Sequence, residues 1–273
     1  MTEKPRPRLA LFSTRRRTLT VCAVPVVALL AVAAFAPLPF SLAQPGDTAD
    51  VLGENAGKPV ISFPDAKDGG KDTGEAGKGE GKLLAVTIGV TNPDVTVRAA
   101  DVARAWFAED RAVMPREAAY PEGDSVREVK RSIHKQMKDS QDKAVTAALR
   151  QLGKKPGDVD VSLRLGDVGG PSAGLLFSLG IVDKLEGDLT GGRTIAGTGT
   201  IDAQGKVGPV GGVPLKMRAA KRDGARHFLV PEKECGEAEA QRPKGLRLIP
   251  VTTLDKTLDS LKALKDGGKL PSC

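Results

Sequence analysis

The 273-residue sequence is 40% hydrophobic and 27% charged, a balance typical of a chain that folds around a core and not of a disordered one. Aromatic residues make up only 3%, which leaves few rings for stacking on nucleobases. The net charge of +7 is concentrated at the N-terminus, because six basic residues against Glu3 give 6 − 1 = +5 in the first 18 residues and leave +2 for the rest. Composition and charge therefore argue against disorder and against nucleic acid as a partner.

An uncharged apolar segment follows the basic tail of residues 1–18. Residues 19–36 reach the lower limit of a membrane span, and we place a transmembrane signal-anchor in the bilayer at residues 19–44. The arginines at 15–17 predict a cytoplasmic N-terminus and a body on the outer side. A secreted protein cleaved near Ala43 is the alternative, because residues 41–43 have small side chains at the offsets of a cleavage site.

Residues 45–82 are predicted to be a juxtamembrane segment and a linker. The stretch 66–82 contains six Gly, four Lys and four acidic residues in seventeen positions, a composition that buries nothing. From residue 83 onward, alternating and helical hydrophobic patterns predict an α/β (α+β) domain. We divide it into an N-terminal region of one strand and helices, 83–153, and a core, 154–273.

The predicted elements differ in length and in the strength of their signals. The predicted strands are 83–91, 159–165, 194–201, 206–210, 228–230 and 246–251, and the predicted helices are 97–109, 125–152, 175–185, 213–221 and 254–264. The longest helix opens with Ser125 and Glu128 as a capping box and closes at Gly153. The first helix holds Trp106, the single tryptophan of the chain, and Phe107.

The number and positions of the three cysteines are consistent with an exported protein. Cys22 lies in the apolar segment, so Cys235 and Cys273 are the two in the body of the protein. An even pair in an oxidising compartment predicts a disulfide that pins the C-terminal tail. Two unrelated thiols are the alternative.

The segment from Gly169 to Gly174, GGPSAG, lies between a predicted strand and a predicted helix. Two glycines allow a sharp turn and a close approach of the backbone to a ligand. Ser172 falls where a helix N-terminus presents free N–H groups and a positive dipole end, which can stabilise an oxyanion. The same residues also make good turns and N-caps, so this segment alone leaves a purely structural role open.

A nucleophilic Ser172 needs a general base. His134 lies between basic residues of the long helix, and His227 lies at the entrance to a buried strand, so neither suits a Ser-His-Asp triad. Lys216 has small or apolar neighbours at helical spacing, which would desolvate its amine and lower its pKa. A surface lysine that extends its amine into water fits the spacing equally well. The His and Cys residues are too few and too scattered for a metal site, and no cofactor is expected.

Together these motifs resemble the proteolytic domain of the Lon proteases. The resemblance includes the GGPSAG loop, the run IAGTGTIDAQGKVGPVGG and the helix that carries Lys216, Ala219 and Ala220. It implies the Lon proteolytic-domain fold, polypeptide substrates and a homo-hexameric ring. The implied catalytic residues are Ser172 as nucleophile, Lys216 as general base and Thr198 as the hydroxyl that holds the lysine amine, with backbone N–H groups of Gly169, Gly170, Ser172 and Ala173 as the oxyanion hole.

More narrowly, the chain is similar to single-pass, ATP-independent Lon-like bacterial proteins that carry a PDZ module before the protease domain. It departs from them because residues 154–158 leave no room for that module. Gly169 replaces the acidic residue of full Lon enzymes, as it does in the membrane-anchored branch. No G-x-x-x-x-G-K-[ST] motif occurs in the chain, so an ATPase of the Walker type is not expected.

The sequence thus predicts a membrane-anchored serine endopeptidase that acts on exported or unfolded polypeptides without its own ATPase. A catalytically silent Lon-like module that binds or scaffolds at the membrane is the first alternative, since a fold does not guarantee an activity. A small-molecule kinase of the galactokinase and mevalonate kinase type is the second. GGPSAG could hold a phosphate at a helix N-terminus, although the chain is short for a kinase with two substrates.

Overall fold

The computed structural model describes residues 10–55, 57–64, 81–120, 125–164 and 171–273. The helices are α1 (Ala10–Phe35), α2 (Ala99–Trp106), α3 (Arg116–Ala119), α4 (Val126–Gln151), α5 (Gly174–Glu186), α6 (Val213–Arg222), α7 (Cys235–Ala240) and α8 (Leu254–Lys265). The strands are β1 (Phe40–Asp50), β2 (Glu54–Asn55), β3 (Lys58–Pro59), β4 (Ile61–Ser62), β5 (Lys82–Val90), β6 (Ala112–Pro115), β7 (Ser162–Leu163), β8 (Thr194–Gly197), β9 (Thr200–Ile201), β10 (Val207–Gly208), β11 (His227–Pro231) and β12 (Arg247–Val251). Single 3₁₀ turns cover Pro171–Ala173 and Glu232–Glu234.

A six-stranded sheet with the order β12-β11-β8-β5-β1-β6 forms the centre of the domain. Strands β12, β11, β8 and β5 run parallel, and β1 is antiparallel to both β5 and β6. Helices α4, α5 and α8 pack on one face, and α6 and α7 pack on the other. The predicted mixed α/β fold is confirmed.

The sheet begins earlier in the chain than the sequence predicted. β1 starts at Phe40, and the Ser41 and Ala43 side chains are only 3% and 1% exposed. Residues 40–44 therefore belong to the sheet and not to a span ending at residue 44, and cleavage near Ala43 would cut through a strand. The polar sequence QPGDTAD, which contains a register shift between Pro45 and Thr48, concealed this strand.

The apolar helix α1 precedes the sheet and ends at Phe35. Its segment Arg17–Phe35 is long and apolar enough to cross a membrane, and none of it is buried in the protein. A signal sequence near an N-terminus can be equally long and apolar. Of the linker predicted at 66–82, all but the last two residues lie outside the described residues.

Three predicted strands differ in the structure. The strand predicted at 206–210 is reduced to the two residues of β10. Of the strand predicted at 159–165, residues Ser162–Leu163 form β7, which pairs with β4, and residue 165 lies outside the described residues. The strand predicted at 194–201 is split into β8 and β9 at Thr198 and Gly199. The Thr198 N–H makes the last bond of the ladder, to the Leu229 carbonyl of β11, whereas the Gly199 N–H turns away from the sheet and donates to the Ser172 carbonyl.

Helix α4 has the predicted position and cap, since the Ser125 hydroxyl accepts a hydrogen bond from the Glu128 N–H at 3.3 Å. Its buried face near the C-terminal end consists of small side chains, Ala144, Ala147 and Ala148, that pack against α5. The Ser178 hydroxyl of α5 donates to the Ala144 carbonyl at 3.0 Å. Small side chains let the two helix backbones approach closely, and this fixes the start of α5.

The C-terminal tail is covalently attached to the domain. A disulfide joins Cys235, at the start of α7, to Cys273, and their Cα atoms are 5.3 Å apart, within the range that a disulfide needs. Cys22 of α1 is a free, exposed thiol. The last residues of the chain are therefore held at the same edge of the domain as α7.

Candidate active site

Ser172 lies in the 3₁₀ turn Pro171–Ala173 that leads directly into α5. Neighbours on two sides hold this turn. The Ser140 hydroxyl of α4 donates to the Pro171 carbonyl at 3.0 Å, and the Gly199 N–H donates to the Ser172 carbonyl at 2.9 Å. Ser172 itself is half-buried. The preceding Gly169 and Gly170, predicted to contribute to an oxyanion hole, lie outside the described residues.

Gly174 is the residue that allows this arrangement. A Cβ atom at position 174 would lie 2.9 Å from the Ser140 Oγ and 3.1 Å from the Ile201 Cγ2, closer than side chains tolerate. The first turn of α5 therefore sits directly against α4 and β9. This close approach places the Ser172 turn next to Thr198 and Gly199, the two residues between β8 and β9.

Thr198 connects the Ser172 turn to Lys216. The Lys216 amine donates to the Thr198 Oγ1 at 3.0 Å, and the same hydroxyl donates to the Ser172 carbonyl at 3.3 Å. The Thr198 side chain has no exposed surface. The structure thus brings together the three residues that the sequence singled out, through one buried hydroxyl.

Lys216 lies in the first half of α6, after the left-handed Gly212 at the N-cap, with φ of 70°. The lysine is only 3% exposed and lies on the helix face that carries Val213, Met217 and Ala220, all buried. The alternative of a solvated surface lysine is therefore wrong. Burial disfavours the charged amine and lowers the pKa of Lys216 to about 8, against the opposing attraction of Glu234.

Glu234 is a neighbour of Lys216 that the sequence analysis missed. It ends the 3₁₀ turn after β11, and desolvation raises the pKa of its carboxyl group. Its Oε2 atom is buried and has no hydrogen-bond partner among the described residues. Because β8 and β11 are parallel, the residues after their carboxyl ends meet at one edge of the sheet. An acidic residue in the turn that follows a buried parallel strand was the available signal.

An open groove of about 560 Å³ lies beside these residues. Met137 lines it about one helical turn before Ser140, which holds the Ser172 turn. Ile88 lines the other wall, and a Cβ atom at Gly212 would lie 3.1 Å from its Cγ2. The groove is thus lined by β5, α3 and α4 and adjoins the elements that hold the Ser172 turn and the N-cap of α6. Its hydrophobic lining includes Ile88, Val90, Val126, Val129, Ile133 and Met137.

The two histidines occupy other positions. His134 is exposed on α4 and lines the outer part of the groove. His227 opens β11 beside Ile195, two residues before Leu229, which accepts the hydrogen bond of the Thr198 N–H. Burial and three nearby arginines lower the pKa of His227. Among the residues that the structure describes, no three His, Cys, Asp or Glu side chains group as a metal site.

Comparison with known proteins places this site in a family. Residues 105–264, more than half of the chain, match the model of the Lon protease (S16) C-terminal proteolytic domain, and this range contains Ser172, Thr198 and Lys216. Lon protease 2 of Bacillus subtilis (strain 168) is 34% identical over 120 residues, which cover 43% of this chain and 21% of that protein. The Lon protease of Azospirillum brasilense is 40% identical over 92 residues, which cover 33% of this chain and 11% of that protein. The matched segments span about a fifth or less of the length of these relatives.

Proposed function

This chain belongs to the family of the Lon protease (S16) C-terminal proteolytic domain, and on that premise we propose that it is a serine endopeptidase with Ser172 as nucleophile and Lys216 as general base. One observation carries the proposal. The buried amine of Lys216 is joined through the Thr198 hydroxyl to the turn that holds Ser172. A lysine with a pKa of about 8 is neutral in a useful fraction of molecules near neutral pH, as a base must be.

In the proposed reaction, the Ser172 Oγ attacks the carbonyl carbon of a peptide bond while its proton passes to the neutral Lys216 amine. The tetrahedral intermediate collapses, the C–N bond breaks, and the leaving amine takes the proton from Lys216. Water then attacks the acyl-enzyme, with Lys216 accepting a proton from the water and returning one to the Ser172 Oγ. The role of Thr198 is to hold the lysine amine toward this turn, since its hydroxyl accepts a hydrogen bond from Lys216.

The developing oxyanion needs N–H donors near the Ser172 Oγ. We assign this role to the backbone N–H groups of Ser172 and Ala173 together with those of Gly169 and Gly170. Ser172 and Ala173 lie in a single 3₁₀ turn at the start of α5, where the helix dipole adds a positive field. This field favours the negative charge of the tetrahedral intermediate over the neutral ground state.

The substrate would be an unfolded polypeptide. The groove beside the site is open and lined with hydrophobic side chains, which suits an extended chain with exposed apolar residues. The chain carries no nucleotide-binding motif of the Walker type that could drive unfolding. We therefore propose cleavage without ATP of polypeptides that arrive already unfolded.

We propose that the protease domain lies outside the cytoplasmic membrane and that Arg17–Phe35 spans it. The span has the required length and composition, and the arginines that precede it favour a cytoplasmic N-terminus. The disulfide between Cys235 and Cys273 fits an oxidising compartment. The domain would then begin at β1, directly after the span, with the linker predicted at 66–82 inside it and the region 154–273 as the proteolytic core. Assembly into a homo-hexameric ring is part of the proposal through family membership alone.

The test uses the full chain in detergent or vesicles with casein and no ATP. Ser172→Ala and Lys216→Met should each abolish cleavage, whereas the matched controls Ser272→Ala and Lys221→Met, both at exposed positions, should keep it. A fluorophosphonate probe should label the wild-type protein but not Ser172→Ala. Light scattering on the active detergent samples should give the molar mass of six copies of the chain.

The outcomes separate the alternatives. Cleavage that survives either active-site substitution would exclude the Ser-Lys mechanism. Labelling without cleavage of any unfolded protein would show a reactive Ser172 and exclude unfolded polypeptides as the substrate. Neither labelling nor turnover in correctly folded protein would favour the silent binding module.

A further inference from the structure

Exposed hydrophobic side chains outside α1 are concentrated in one segment of the domain. Among the described residues, the large ones are Val95 at 46% exposure, Trp106 at 77%, Phe107 at 87% and Ile133 at 45%. Ile133 lines the groove beside the site, but the other three lie within residues 95–107. We call the two aromatic side chains, Trp106 and Phe107, the aromatic face. Two almost fully exposed aromatic rings are unusual in a chain with so few aromatic residues, and such patches mark interaction sites.

The aromatic face lies where α1 meets the domain. The Leu38 N–H, three residues after the end of α1, donates to the Val97 carbonyl at 2.9 Å. Helix α2 begins directly after this bridge and lies against α1. Any bilayer that contains α1 therefore has its outer surface next to α2 and the residues around it.

The sides of α2 are chemically distinct. Ala105 is buried against the domain. Asp101 and Arg104 form an exposed ion pair at 3.4 Å, which suits water. Trp106 ends the helix and Phe107 follows it as the C-cap, and both rings are mostly exposed. Tryptophan prefers the boundary between lipid headgroups and acyl chains, because its ring is apolar and its indole N–H needs a polar partner.

We propose that the aromatic face inserts into the headgroup boundary of the same bilayer that α1 spans. The inference rests on the proposed membrane span, since continuity with the exit of α1 identifies lipid as the occupant. The chain would then have a second attachment to the membrane beside the first. Two attachments fix the orientation of the domain, whereas a single helix followed by a short connection would let it tilt.

Trp106 is the single tryptophan, so its fluorescence reports this face without labelling. The full chain is reconstituted into phosphatidylcholine vesicles with and without lipids brominated near the headgroup, and flotation measures membrane attachment separately. Brominated lipids should quench most of the Trp106 emission. The matched control is the double variant Trp106→Phe/Lys262→Trp, which moves the tryptophan to an exposed position on α8, at the opposite edge of the sheet. Its emission should be unaffected.

Phe107→Ser tests the neighbouring ring, and it should fold normally because Phe107 is exposed. Loss of one inserted phenylalanine should lower the docking equilibrium by about 10-fold or more, seen as reduced quenching of Trp106. Protein that floats without quenching of Trp106 would overturn the inference and leave the membrane span intact. Emission that is unquenched but depends on protein concentration would assign the face to a contact between copies instead. Protein that does not float would refute the span and the inference together.

Discussion

Replacing Glu234 by Gln should make the enzyme more active at neutral pH. The Glu234 carboxylate attracts the protonated Lys216 amine and raises the pKa that burial lowers. Gln keeps the size of the side chain but removes the charge, so the pKa of Lys216 should fall further. The neutral amine, which is the proposed base, then becomes more abundant at pH 7.

The size of the effect has an upper limit set by Lys216. With a pKa of about 8, about one molecule in ten carries a neutral Lys216 at pH 7, whereas an ordinary lysine would be neutral in about one in 3,000. A fall of about one unit in the pKa would raise the neutral fraction at pH 7 about fivefold, and no fall can raise it more than about tenfold. Above about pH 9 the wild-type amine is already neutral, so the two proteins should have equal activity there.

The assay is kcat/KM for a fluorogenic peptide between pH 6 and pH 10, which reports the base of the free enzyme. Wild-type protein should show one rising limb with a midpoint of about 8. Glu234→Gln should move this midpoint to lower pH. Glu232→Gln, which removes an exposed carboxylate from the same turn, should leave it unchanged. A midpoint that stays in place or rises in folded Glu234→Gln protein would refute the assignment of Lys216 as the base.

Two further predictions concern stability. Lys216→Met should raise the free energy of unfolding at pH 7 by about 2 kcal/mol. The lowered pKa of Lys216 means that its charged form destabilises the folded state by about 3 kcal/mol below pH 8, and the substitution removes this cost. The substitution also removes the hydrogen bond to Thr198, which offsets about 1 kcal/mol of the gain. In urea titrations the gain should shrink as pH rises from about 8 towards 10.5, and a gain independent of pH would contradict this cause. Cys273→Ser should lower the free energy of unfolding by about 4 kcal/mol, since the disulfide closes a loop with a sequence separation of 38, and Cys22→Ser should have no effect on it. Equal urea midpoints for Cys273→Ser and wild-type protein would contradict that estimate.

The sequence predicted helices better than strands, for a physical reason. Helix α4 carried its signals locally, in the Ser125 cap and in apolar residues at helical spacing. Strand β1 carried almost none, because its second half is polar and contains Pro45 and Gly46. It is a strand because β5 and β6 pair with it from both sides, and such long-range pairing has no signature within the strand itself.

The residues of the site were predictable as a family pattern, but the contacts between them were not. Lys216 could have been a surface residue by spacing alone, and only the packing of α6 on the sheet decides that it is buried. Thr198 was predicted within a continuous strand. After the break that follows β8, its hydroxyl links Lys216 to the Ser172 turn, and the Gly199 N–H leaves the sheet to bind the same turn. Glu234 was missed because its proximity to Lys216 follows from the parallel pairing of β8 and β11.

The small side chains around the site explain how the pKa of Lys216 is lowered. Desolvation, and not a charged partner, is the largest cause of the lowered pKa of Lys216. Desolvation requires that water be excluded around the amine. Small side chains at Ala219, Ala220 and Gly174 allow close packing of the elements that hold the site. A chain rich in small residues and poor in aromatics can bring a helix, a strand break and a turn together around one hydroxyl. A larger side chain at any of these positions would separate the elements and admit water to Lys216. Its pKa would then rise, and the amine would be protonated at neutral pH.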